Sequence, residues 1–145
     1  MLRVALYLWA FPVTLIGLLV VLVARSSGGV QQRVDGVLEA AGGWPAQVLR
    51  RGFPFSGSVA AITLGHVVVG VSLAALDATR AHERVHVRQF ERWGVLMVVL
   101  YPLAGLFAGL RGGHPYFDNV FEREARAAEV ASVQEKAASS QSAGG

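Results

Sequence analysis

Residues 4–24 form an unbroken uncharged run of 21, flanked by Arg3 and Arg25. No other feature of the chain limits its fold so strongly. As an α-helix rising about 1.5 Å per residue, the run reaches across a hydrocarbon core of about 30 Å. A cleaved signal peptide has a shorter apolar region, about 7–15 residues. Leu22-Val23-Ala24 is also a poor cleavage site, because Leu22 is too large for a small-x-small pattern. The run therefore reads as a retained membrane anchor. In a chain of 145 residues, what remains holds one small domain and not two. The mean hydropathy of +0.46, with 53% hydrophobic residues, implies that some apolar surface faces lipid. The formal charge of +3 suits an anionic membrane surface at least as well as nucleic acid. The absence of cysteine excludes disulfides, a thiolate nucleophile and any Cys-ligated zinc site.

The chain after the anchor reads as three parts. Residues 26–58 are a Gly/Pro-rich connecting segment, with a short helix expected over 33–41, stopped by Gly42-Gly43. Trp44, Phe53 and Phe55 interleave there with Arg50 and Arg51, as in a membrane-interface segment or in a loop packing its aromatics on the core. Residues 59–131 are the domain proper. Ala60-Ala61-Ile62-Thr63 and Val67-Val68-Val69 predict two short strands around a Gly65-His66 turn. A helix follows, capped by Asp77 and closed by Gly94. Residues 94–110 are a further apolar run, expected as a buried or re-entrant hairpin bent at Pro102, before a last helix from about Asn119. Residues 132–145 are mostly Ala, Ser, Gln and Gly, and disorder is expected.

The chemistry concentrates in His82-Glu83-Arg84-Val85-His86. Two histidines four apart on a helix project from one face and can reach one ion. Glu83, about 100° round the helix, is placed to take a proton from a water polarised by that ion. A catalytic zinc needs one more protein ligand and an open position. His66 and His114 can donate nitrogen, and Glu122 or Glu124 a carboxylate. Against Glu122 stands a capping box, in which it would bond only the Asn119 N–H. Arg80, Arg84, Arg88 and Arg92 form a separate stripe on the same helix, suited to anionic head groups and favouring the cytoplasmic side. No nucleic-acid partner is expected.

His-Glu-x-x-His-x-x-Gln at 82–89, followed by Glu-x-x-Ala at 122–125, resembles the gluzincin metallopeptidases. The match is closer to small bacterial membrane proteins of that type, through Ala-x-Thr-x-Gly at 61–65, the extension to Trp93-Gly94, and Asp-Asn-x-Phe-Glu-x-Glu-Ala at 118–125. It covers roughly residues 58–128. The resemblance implies that Glu122 is the third zinc ligand, with Glu124 the alternative, and that residues 59–70 border the substrate cleft. One position departs from the pattern: many membrane gluzincins carry a supporting aspartate four residues after the ligand glutamate, where this chain has Arg126. Arginine there can pair with Glu122 at i, i+4 and compete with the metal, leaving Asp118 as a substitute support.

The expected protein is thus α+β, with a small zincin-like domain behind a transmembrane helix. Its expected activity is zinc-dependent peptide hydrolysis at a membrane, on a peptide or protein substrate. Glu83 is the base, and Tyr116 or His114 stabilises the oxyanion with Asp118 and Asn119 in support. The competing expectation is a non-catalytic binding or scaffold module on the same fold.

Overall fold

The computed structural model describes residues 2–53 and 56–142. Phe55, residues 143–145 and the side chain of Arg3 lie outside what it describes. The sheet begins at a turn that decides the fate of residues 30–41. Asp35 and Gly36 both take positive φ, 48° and 83°, the requirement of a type I′ hairpin turn. Strands β1 (Val30–Val34) and β2 (Val37–Ala41) pair across it with Val34 opposite Val37. The helix expected over 33–41 is therefore a β-hairpin. Asp-Gly between apolar residues is the local signal for it, and it outweighs the Gly42-Gly43 stop.

Helix α2 (Gly43–Arg51) leads to β3 (Ala61–Leu64) and β4 (Val67–Gly70). These pair antiparallel around Gly65-His66, as expected. β4 also runs parallel to β2, giving one sheet in the order β1-β2-β4-β3. A boundary at residue 58 would cut this sheet, so the segment 26–58 is part of the domain and not a connector. Helix α1 (Leu2–Ser26) and α2 cover one face, where Val21, Ala24 and Leu49 meet Ala40, Val67 and Val69. The other face packs against α3 (Leu73–Trp93), with Leu76 and Val87 on Val37, Ala41, Ala61 and Val68. Coverage of both faces explains why all of β4 is buried and apolar instead of alternating.

The N-terminal helix is no detached anchor. Ala10, Val13, Val21 and Ala24 lie along one helical stripe and are buried. Between them, a Cβ added at Gly17 would lie 2.6 Å from Val67 Cβ, so the missing side chain is what lets helix and sheet touch. Much of the remaining described surface of α1 is exposed and apolar, including Leu8, Leu19 and Leu22.

Helix α3 begins at Leu73, earlier than Asp77: Ser72 is the cap, its Oγ accepting the Ala75 N–H at 3.1 Å. It ends at Gly94 as expected, and a single 3₁₀ turn leads to α4 (Met97–Leu110). Pro102 lies within α4, and there is no hairpin bend at it. The chain instead returns through residues 111–119: Pro115 packs against Gly105, and Asn119 Nδ2 donates to the Tyr101 carbonyl at 3.0 Å. Helix α5 (Val120–Ser142) then takes in residues 132–142 of the tail expected to be disordered. Alanine-rich composition favours a helix even where little packs against it. The architecture is α+β. Two helical stretches, Leu6–Ser26 and Leu73–Leu110, are long and apolar enough to cross a membrane.

Two of the four arginines face inward. Arg80 Nε lies 3.0 Å and Arg84 Nη2 3.5 Å from Glu39 on β2, a carboxylate 2% exposed. Only Arg88 and Arg92 remain on the exposed face, so the stripe is divided between core and surface. Burial alone would raise the Glu39 carboxyl, but Arg80, Gln32 and Arg84 more than offset this and hold it below its ordinary value of 4.5. Its stabilising contribution is therefore complete above pH 4.5 and is lost as pH falls through the lower folded value. Glu39→Gln is expected to cost about 1–2 kcal/mol: Arg84 loses its counter-charge, while Arg80, partly exposed, keeps Asp77 at 2.5 Å. Thermal unfolding at pH 7 checks the loss, and the variant should also lose that part of the acid dependence.

Candidate metal centre

Helices α3 and α5 meet beside the sheet, where the fully buried Ala125 offers the smallest side chain to the contact. This brings His82, His86 and Glu122 together as the one possible metal-holding group among the described residues. The two Nε2 atoms are 3.2 Å apart, and each lies 3.3 Å from an oxygen of Glu122. A tetrahedral ion with bonds of about 2.0–2.1 Å separates its donors by about 3.3 Å. The two nitrogens stand near that spacing, each with a different Glu122 oxygen, and one ligand atom from each side chain lies within 4.8 Å of the others.

Their proton inventory points the same way. Gln89 Nε2 donates to the Phe121 carbonyl at 3.2 Å and to Glu124 Oε2 at 2.9 Å. Its oxygen therefore faces His86 Nδ1, 2.9 Å away, and that nitrogen carries the proton. His82 Nδ1 faces Glu129 Oε2 at 3.4 Å, which favours the same tautomer. Both Nε2 lone pairs then converge on a carboxylate, whose Oε2 is buried without a hydrogen-bond partner. Such an orphan costs about 1–3 kcal/mol, and a divalent cation satisfies all three groups at once. Burial alone would raise the Glu122 carboxyl. The Tyr101 hydroxyl, which donates to Oε1 at 2.5 Å, opposes this.

Glu83 is buried, and its Oε2 accepts the Thr63 hydroxyl of β3 at 2.6 Å. It lines a cleft of about 700 Å³ together with His82, His86, Tyr101, Tyr116 and Glu122. Burial, and then the neighbouring Glu122 charge, push the Tyr116 hydroxyl up, which keeps it a neutral donor.

The other candidates lie elsewhere or serve other ends. Glu124 is exposed and holds Gln89, outside the group. His66 is buried against the Tyr7 ring and lies 3.1 Å from Glu91 Oε1. His114 Nδ1 accepts the Tyr116 and Phe117 N–H groups, and Asp118 accepts the His114 N–H, so both shape the 111–119 turn. Asn119 caps α5 through the Phe121 N–H, while its own N–H goes to the Tyr116 carbonyl. No capping box forms, because the Glu122 carboxylate is turned to the histidines.

Arg126 donates to the Phe117 carbonyl and lies 5.5 Å above the Phe117 ring. It does not draw Glu122 away. Arg126→Asp is accordingly expected to leave metal affinity within about twofold, since no ion-pair competition is relieved. A chelator-competition titration checks this, and a large gain in affinity would contradict it.

Sequence reasoning did not assign Thr63, Tyr101 or Glu129 to the site. Tyr101 had a signal: it is the only polar side chain in residues 94–110, and a hydroxyl in an apolar helix needs a partner. Glu129 had none, lying two turns beyond Glu122. No protein-family model, curated protein or solved structure matches the chain.

Proposed function

We propose that this protein is a membrane-associated, zinc-dependent endopeptidase of gluzincin type. The observation that carries the reading is the convergence of His82 Nε2, His86 Nε2 and the two Glu122 carboxylate oxygens at contacts of 3.2–3.3 Å, beside the buried Glu83 carboxylate. His82, His86 and Glu122 would hold the ion, which when bound supplies Lewis-acid activation of water and of a peptide carbonyl. The protein's own groups supply the rest. Glu83, held by Thr63, takes a proton from the attacking water and returns it to the departing amine nitrogen. Tyr116, kept neutral, can donate to the oxygen that gains charge as the carbonyl is attacked. Gln89 and Glu129 fix the ring orientations of His86 and His82.

Support for the membrane comes from the outer faces of α1 and α4. Leu8, Leu22, Leu106 and Leu110 are each more than half exposed, a pattern suited to lipid. The return of residues 111–119 along α4 brings α5 back beside α3, as a site shared by both ligand helices requires. Zinc-loaded protein in detergent should hydrolyse a peptide, lose that activity to a chelator and regain it with zinc. Stoichiometric zinc without hydrolysis of any peptide would leave a binding module instead.

A further inference from the structure

We propose that Tyr101 is the positioning residue that makes Glu122 a one-oxygen ligand. Its hydroxyl retains Oε1, so that Oε2 alone would meet the ion and a fourth position stays open for water. This rests on the peptidase reading above. A carboxylate can meet a metal through one oxygen or through both, and the choice matters at a catalytic zinc. Two imidazoles and one oxygen leave a tetrahedral position over, whereas a second oxygen occupies or crowds it.

The two oxygens of Glu122 are not equivalent. Oε1 accepts the Tyr101 hydroxyl at 2.5 Å, while Oε2 is buried with no hydrogen-bond partner. An oxygen already held by a hydroxyl gains less from an ion than one whose burial is uncompensated. Tyr101 can hold this place because it is itself held from two sides. Its ring stacks on Phe121, with centroids 6.3 Å apart, and meets the His86 ring edge-on at 6.2 Å. Its carbonyl accepts Asn119 Nδ2 at 3.0 Å, and Asn119 Oδ1 in turn accepts the Phe121 N–H that begins α5. One residue of α4 thus fixes both the start of the ligand helix and the oxygen that Glu122 presents. Tyr101 is also the single polar side chain of α4. Asp118 and Arg126 are engaged in the 111–119 turn and do not supply this support.

The test uses full-length protein in detergent, loaded with zinc for X-ray absorption and with cobalt(II) for electronic absorption. The native ion is expected to be four-coordinate, with one Glu122 oxygen. Tyr101→Phe keeps the ring and removes only the hydroxyl, so it should still bind about one ion per chain. That ion should become five-coordinate, with a weaker cobalt absorption. Hydrolysis should fall about 10–100-fold in kcat with KM little changed, because the open position is lost and the cleft is kept. Replacing Tyr101 by 3-fluorotyrosine, which retains the hydroxyl, should preserve the native spectrum. A merely structural hydroxyl would lower stability and leave coordination alone. A native site with both Glu122 oxygens on the ion would overturn the inference, whether or not the variant folds. So would a Tyr101→Phe spectrum identical to the native one. The two readings fail separately. Unchanged coordination in an active Tyr101→Phe variant sinks this inference and spares the peptidase. A change from four to five ligands, in a protein whose native form hydrolyses no peptide, sinks the peptidase and leaves Tyr101 its role.

Discussion

Protein purified in detergent is expected to hold about one zinc ion per chain, and His82→Ala, His86→Ala or Glu122→Gln should each abolish stoichiometric binding. The three side chains already converge at contacts of 3.2–3.3 Å, so the site is close to its loaded geometry before any ion arrives. Removing one donor leaves two, too few for a zinc site of this class. Losses should exceed the roughly 10–100-fold typical of removing an outer support. That smaller range is the expectation for Gln89→Ala and Glu129→Ala, which release the rings but keep the ligands. Glu124→Gln is the control, since it touches only Gln89 and should change affinity less than any of these. Metal analysis and chelator competition separate the classes. Native protein that stays metal-free after reconstitution with zinc would end the metal reading. Glu124→Gln removing the metal while Glu122→Gln kept it would reassign the third ligand.

The second large effect concerns Glu83. Glu83→Gln should bind zinc as the native protein does and lose hydrolysis by about 10²–10⁴-fold, because an amide cannot take the proton of water. The geometry distinguishes this residue from the ligands: its carboxylate is held by Thr63 across from β3 and is not among the three converging groups. Thr63→Val should then lower the rate more than the metal affinity, since it frees the base and leaves the donors alone. Loss of zinc in Glu83→Gln would make the residue a structural part of the metal site, and full activity would remove it from the chemistry.

Exposed apolar surface extends over more of the molecule than the first 26 residues suggest. α1 buries one narrow stripe, against the sheet through Val21 and Ala24 and against Phe90 and Met97 through Ala10 and Val13, and much of the apolar surface of α1 and of α4 is exposed. An uncharged run of 21 residues reads identically whether it is an isolated anchor or a helix packed on a sheet. Gly17 tells them apart only once Val67 is seen against it.

Some of the site needs no tertiary structure. Residues 82, 83 and 86 hold their mutual geometry because an α-helix advances about 100° per residue. The β3–β4 hairpin follows from β-branched residues flanking Gly65-His66, and Asp35-Gly36 carries the same kind of information for β1 and β2. Each is a short-range preference of backbone and side chain, complete within about ten residues. The choice between Glu122 and Glu124 has a different origin. Both lie on α5, about 200° apart, and which one meets the histidines depends on the rotation of that helix. Asn119, Ala125 and the Arg126–Phe117 contact set that rotation. The inward half of the arginine stripe depends in the same way on Glu39, 41 residues before Arg80. Local sequence determined which groups share a helix face. Only packing between distant elements decided which faces meet, because the energy that orients one helix against another resides in residues far apart along the chain.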